Sequence, residues 1–202
     1  MQDILLEPYG AEILGMGVAA TTQLTATLAA GMLPAFFASS RWLSRGTDPH
    51  RLAAFGALLG AMAFLLVTIV SGVRSQALFQ VAVFGIGVGA GLFSGGMLVA
   101  AMDLARVAGT GLALGAWGAV QATATGIGVA AGGALRDVFS HWIELGRLGP
   151  AITDPATGYT LVSQFEVFLL FVTLVVVGPL AKFTREAGAD AEGRFGLTEF
   201  PN

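Results

Sequence analysis

The sequence predicts an all-α, polytopic membrane helical bundle, and three observations carry that reading. Hydrophobic residues make up 55% of the chain and charged residues only 11%, whereas an ordinary soluble domain is about 25% charged. The mean hydropathy is +0.77, so the chain would not stay in water. Glycine reaches 29 of 202 residues; it is costly in soluble helices but tolerated in membrane helices, where small side chains let backbones approach.

A spanning helix needs about 20 mostly apolar residues to cross roughly 30 Å of hydrocarbon. Five stretches meet that length, at about 13–40, 52–73, 76–102, 107–135 and 159–181, and together they make a bundle over 13–181. Ahead of them, MQDILLEPYGAE carries Asp3, Glu7, Glu12 and Pro8. It is too short and too acidic to span, and it lacks the positive start and small-residue cleavage site of a signal peptide. The first span is free of charge from Ile13 to Ser40 and stops at Arg41, and the second lies between Arg51 and Arg74. Asp103 closes the third, and the fourth runs from Val107 to the Arg136–Asp137 pair. The fifth begins at Tyr159 and ends before Lys182. Between the last two, 136–158 is too long for a hairpin; it is expected to hold a short interfacial helix with Trp142 at the headgroup level. The stretch 182–202 reads as a charged, Gly-containing cytoplasmic tail with little fixed structure.

Positive charge sets the expected orientation. Numbering the connections alternately puts Arg41, Arg45, Arg51, Arg106, Lys182, Arg185 and Arg194 on one side, and Arg74, Arg136 and Arg147 on the other. The C-terminus is therefore expected in the cytoplasm and, with an odd number of spans, the N-terminus outside.

Helix contact surfaces are the clearest internal signal. Gly56/Gly60, Gly87/Gly91, Gly91/Gly95, Gly111/Gly115 and Gly128/Gly132 all have small-xxx-small spacing. Gly85, Gly87, Gly89 and Gly91 recur every second residue, so at about 100° per residue they divide between two nearly opposite faces. The third span is expected to pack closely on both sides, either as static packing or as a helix that slides in a transporter.

Chemistry-bearing groups are sparse. Ten Lys and Arg form no basic stripe, which argues against nucleic acid, and the absence of Cys excludes thiolate metal sites and cysteine nucleophiles. Gly126, Gly128 and Ala131 match a dinucleotide pattern, but that motif needs a preceding strand and a helix start, and here it falls in mid-helix. His50 and His141 are expected on opposite sides of the membrane, so they cannot share a metal. Neither a dinucleotide nor a protein-bound metal is expected. Intramembrane polar residues carry more weight. Thr110, Trp117, Gln121 and Thr125 share a face with Leu114; Gln23, Thr27 and Gly31 make a second stripe; Glu166 shares a third with Ser163 and Thr173. These stripes line a central cavity, or else they only join helices through hydrogen bonds.

Five ordered strings, MQDILLEPYG, RGTDPHRLA, GLALGAWGAVQATATGIG, GGALRD and PATGY, resemble the C-terminal half of the PucC/LhaA family. This family is also called the bacteriochlorophyll-delivery family and is placed within the major facilitator superfamily. The resemblance covers about residues 1–180. It implies the C-terminal half of a major-facilitator-type fold, with about five full spans plus a partial N-terminal helix over 1–12. Family members have about six further spans ahead of this region, so the chain is expected to be a fragment, a natural short form, or a piece working beside another polypeptide.

The resemblance implies a non-enzymatic membrane factor that assists assembly of light-harvesting antenna complexes by binding or delivering bacteriochlorophyll. The expected partners are antenna polypeptides or the photosynthetic core complex, a chain supplying the N-terminal half, and lipid, in the bacterial inner (photosynthetic intracytoplasmic) membrane. Carried onto this sequence, Glu7 and Tyr9 stand in the first string, Trp117 and Gln121 in the third, and Arg45 and Asp48 in the second, with Arg41 just before it. Glu7, Tyr9, Gln23, Trp117, Gln121 and Glu166 are the pigment or cavity candidates, Glu7 and Gln121 foremost because an oxygen donor suits chlorophyll magnesium. Arg41, Arg45 and Asp48 resemble the superfamily's cytoplasmic gate loop. The alternatives from other classes are a solute or proton-coupled transporter half, motivated by Glu166, and a structural subunit of a photosynthetic complex.

Overall fold

The computed structural model describes residues 2–108, 110–145 and 156–193. Among the described residues six helices occur in this order: α1 Gln2–Glu12, α2 Val18–Leu43, α3 Pro49–Val73, α4 Gln76–Ala108, α5 Thr110–Glu144 and α6 Ala156–Gly193. Four are long and apolar enough to cross a membrane, over Pro49–Val70, Gln76–Asp103, Gly111–Ile143 and Gly158–Pro179. The chain is thus an all-α polytopic membrane bundle. At 26 residues α2 is about 39 Å long, enough to span, but Thr21, Thr22, Gln23, Thr25 and Thr27 crowd its first half with polar groups.

Local chemistry sets the helix ends. Asp48 is the N-cap of α3, and its Oδ1 accepts from the Arg51 backbone N–H at 3.0 Å. Pro49 follows in the first turn, where its missing N–H is no loss. At the other end Arg74 takes the left-handed conformation (φ 54°), and its N–H bonds the Val70 carbonyl at 2.7 Å. Pro8, Pro34 and Pro179 lie inside α1, α2 and α6. Each removes a backbone hydrogen bond, which a packed membrane helix accommodates.

Three boundaries differ from the sequence expectation. The first apolar stretch begins as a connector, because Gly15 at φ 62° turns the chain and Gly17 caps α2 at Val18. The fourth helix does not stop at 135: LRDVFSHWIE contains neither Gly nor Pro, so α5 continues to Glu144 and absorbs the start of the expected interfacial helix. The rest of that segment, 146–155, lies outside the described residues. Past 181 the sequence has helix formers such as Ala and Glu, and α6 runs on to Gly193. The tail beyond 193 also lies outside the described residues.

The centre of the bundle is α4, packed between α2 and α3, with α6 against α3, α5 against α4 and α6, and α1 lodged against α2, α5 and α6. The glycines of α4 divide between two faces as their spacing predicts. A Cβ at Gly87 would strike the Leu28 carbonyl of α2, and one at Gly91 the Met32 carbonyl. On the other face a Cβ at Gly89 would lie 2.7 Å from the Gly56 carbonyl oxygen and the Gly60 nitrogen of α3. Lipid tails are as apolar as the core, so close backbone approach, not exclusion from water, holds these helices together. The main buried cluster joins Tyr9, Leu24, Phe64, Val70, Phe79, Ile86 and Tyr159.

The fourth span behaves otherwise. The most apolar stretch of α5 has no buried residue, and a Cβ at Gly111, Gly115, Gly118 or Gly126 would meet nothing within 4 Å. The Gly111/Gly115 spacing therefore marks no contact among the described residues. Gly126, Gly128 and Ala131 lie inside α5.

Candidate functional site

One end of the bundle gathers polar groups from three helices. Tyr159 lies in the first turn of α6, Arg136 lies about two turns before the end of α5, and Glu12 ends α1. Arg136 Nη2 donates to both Glu12 carboxylate oxygens at 2.9 Å and to the Tyr159 hydroxyl at 2.6 Å. The same hydroxyl donates to Glu12 Oε2 at 2.6 Å. The guanidinium also stands over the Tyr159 ring, 4.9 Å from its centroid, an attractive arrangement for a cation. The Tyr159 hydroxyl, followed by Arg136, holds the Glu12 carboxyl below its ordinary range, against the opposing effect of partial burial. Asp137 sits at the outer side of the group, its Oδ1 3.4 Å from Arg136 Nη1.

Close packing places this group. Gly158 brings α6 against α5, since a Cβ there would lie 3.0 Å from Ser140 Oγ. Gly10 lets α1 approach α2 and the connector, with a Cβ falling 3.1 Å from Leu24 Cδ1 and Met16 Sδ. The Gln76 side chain ties the start of α4 to the same end by donating to the Leu14 carbonyl at 3.1 Å.

Beneath the polar group lies an apolar cleft lined by Leu6, Tyr9, Phe64, Val67, Tyr159 and Glu166, with Val162 and Ser163 on the same wall. Tyr9 is 3% exposed. Its ring packs at 5.0 Å from Phe79 and edge-on at 5.5 Å from Tyr159. A second cleft of about 340 Å³ opens between α1 and α2, walled by Leu6, Leu24, Leu28, Ala29 and Met32, with Glu7 and Thr25 contributing its oxygens. Thr25 Oγ1 donates to Glu7 Oε1 at 2.6 Å.

The structure brings some of the sequence candidates together and separates others. Glu7 walls the second cleft, while Tyr9 and the half-buried Glu166 share the first. Gln23 is exposed on α2, and its carbonyl accepts from the Thr27 hydroxyl at 2.8 Å, so Thr27 bonds back to its own helix and joins no neighbour. Trp117 is half-buried on α5, and Gln121 and Thr125 are exposed there. Arg41 and Arg45 are exposed, and Asp48 is occupied as the α3 cap, with His50 Nδ1 3.8 Å away.

Glu12 and Tyr159 were not singled out as site residues by the sequence, and Arg136 entered only as part of GGALRD. A signal existed: Glu12 follows LEPYG by two positions, and Arg136 and Tyr159 stand in GGALRD and PATGY. Two of the five resembling strings, and a residue two positions beyond a third, therefore converge on one cluster.

Comparison with known proteins follows the same strings. A family model described as "PUCC protein" matches residues 1–184. The "Uncharacterized protein in puhA-bchM intergenic region" of Rhodobacter capsulatus is 47% identical over 205 aligned residues, covering 100% of this chain and 43% of that protein. "Protein PucC" of Cereibacter sphaeroides is 43% identical over 182 residues, or 90% of this chain and 39% of the relative. "Protein PucC" of Rhodovulum sulfidophilum is 51% identical over 137 residues, or 68% of this chain and 30% of the relative. The chain spans less than half the length of each of these curated relatives. No solved structure matches it significantly.

Proposed function

The chain belongs to the PUCC protein family, and from that premise we propose that it assists assembly of light-harvesting antenna complexes in a photosynthetic membrane by binding or handing on bacteriochlorophyll. The family match over residues 1–184 is the observation that carries this reading. In this reading the protein acts by binding and makes or breaks no bond. Its partners are antenna polypeptides or the photosynthetic core complex, in the intracytoplasmic membrane with the C-terminus on the cytoplasmic side.

The cleft between α1 and α2 offers suitable chemistry for such a pigment. Its walls are aliphatic, and Glu7 supplies a carboxylate oxygen of the kind that magnesium prefers. At about 340 Å³ it suits a hydrocarbon tail or one edge of a macrocycle. Glu7 would hold the metal and Thr25 would orient the carboxylate. When bound, the pigment would supply light absorption and a site for hand-over. Purification from a phototrophic membrane in mild detergent tests the proposal: it predicts bacteriochlorophyll absorption and co-purifying antenna polypeptides, and the absence of both would overturn it.

A second reading, a solute or proton-coupled transporter half, is favoured by one observation, the half-buried Glu166 in the cleft with Tyr9 and Tyr159. Substrate uptake into reconstituted vesicles should then fall in Glu166→Gln. Unchanged uptake would remove that reading's main residue.

A further inference from the structure

We propose that Glu12, Arg136 and Tyr159 form a latch that clamps the ends of α1, α5 and α6 together and keeps the cleft beneath them narrow. The argument begins with the shared residue. The hydroxyl of Tyr159 belongs to the polar cluster, while its ring is a wall of the cleft that also contains Tyr9 and Glu166. Any movement that releases the hydroxyl also frees that wall.

Sequence separation shows what the cluster does mechanically. Glu12 and Arg136 are 124 positions apart, Glu12 and Tyr159 147 apart. No local helix geometry requires these bonds, so they act as a tertiary clamp. Hydrogen bonds to charged groups are about twice as strong as neutral ones, and here Glu12 serves two partners, Arg136 and Tyr159, while Arg136 serves both of them as well as its neighbour Asp137. The apolar middle of the helix that carries Arg136 is loosely packed: the most apolar stretch of α5 buries none of its residues, and a Cβ at Gly111, Gly115, Gly118 or Gly126 would meet nothing among the described residues. A weakly packed helix secured at one end by charged hydrogen bonds is the element that would move when those bonds break.

The cleft is narrow with the latch made, and Ser163 and Glu166 on its wall are half-buried. It holds about 20 Å³, room for a single water and no larger ligand. It also contains Ser163, whose Oγ donates to the Tyr159 carbonyl at 3.0 Å within α6. Glu166 lies one turn deeper along that wall. Opening the latch would widen access to this half-buried carboxyl and expose the buried Tyr9. The inference does not depend on the pigment reading, because it concerns access to the cleft and not its occupant.

The chain contains no Cys, so one introduced thiol reports on one position. Ser163→Cys in the full chain in detergent should react with a water-soluble maleimide at a baseline rate set by the narrow cleft, since Ser163 is half-buried. Adding Glu12→Gln or Arg136→Gln should raise the rate about tenfold or more, the scale expected for loss of a hydrogen bond to a charged group. Tyr159→Phe, which keeps the wall but removes the hydroxyl, should raise it less. The charge-reversed pair Glu12→Arg/Arg136→Glu should return the rate toward the baseline value. Ala82→Cys, fully buried in the main core, serves as the folding control and should stay slow in every background. The proposal is overturned if Ser163→Cys reacts at the same rate with and without the latch residues, if the charge-reversed pair reacts as fast as the single variants, or if Ala82→Cys accelerates in parallel.

Discussion

Arg136 on α5 meets Glu12 on α1 with one nitrogen equidistant, at 2.9 Å, from both carboxylate oxygens. Two helices that share few other contacts are thereby joined, and the Glu12 side chain remains about half exposed (53%). Removing the charge by Glu12→Gln should cost roughly 1–2 kcal/mol, the lower part of the range for charged hydrogen bonds because water screens the pair. At about 2–4 °C per kcal/mol for a chain of this size, thermal unfolding in detergent should shift down by several degrees.

The same pair gives a pH dependence with a defined sign. The Glu12 carboxyl is lowered from an ordinary value of 4.5, first by the Tyr159 hydroxyl and then by Arg136. Its contribution is therefore fully present above the ordinary carboxylate range and is lost as pH falls through the lowered folded value. The melting-temperature gap between wild type and Glu12→Gln should be constant near neutrality and narrow in acid. A gap that widened in acid would contradict this assignment.

Close approach in α4 predicts opposite outcomes for one substitution at different glycines. Gly87→Ala places a methyl on the Leu28 carbonyl and must push α2 away, costing about 1–3 kcal/mol as overpacking does. Gly118→Ala on α5 meets nothing and should be neutral or stabilise by up to about 1 kcal/mol through helix propensity. Thermal unfolding of the two variants in detergent measures the contrast.

Asp48 separates a cap from a gate. As the N-cap of α3 it should tolerate Asn, which caps equally well, while Asp48→Ala should cost about 1 kcal/mol. An ion-pair gate would lose its charge in both variants. Equal destabilisation by Asn and Ala, read by thermal unfolding, would favour the gate expected from the sequence resemblance.

Glu7 is the proposed magnesium donor. Glu7→Leu keeps the bulk and apolar character of the cleft wall but removes the oxygen, so bacteriochlorophyll retention on purification should fall about tenfold or more, as for loss of support at a metal site. Gln121→Leu, on the open face of α5, should leave retention unchanged. The pigment-to-protein absorbance ratio reads both variants.

Much of the architecture is written in short-range pattern. Charge scarcity and apolar length locate the membrane helices, because crossing hydrocarbon is a requirement on each segment separately. The alternation of Gly85, Gly87, Gly89 and Gly91 likewise specifies two contact faces on α4, since helical period alone sends neighbouring pairs to opposite sides. Helix ends were less legible: LRDVFSHWIE extends α5 past the charges at Arg136 and Asp137 because nothing in it breaks a helix. Tertiary structure alone decided which faces find partners. Gly87 meets α2 while Gly118 on α5 meets nothing, although both are glycines in apolar helices. It also decided that Glu12, Arg136 and Tyr159 form one cluster, because a contact across 124 residues depends on how whole helices pack and leaves no periodicity in the sequence.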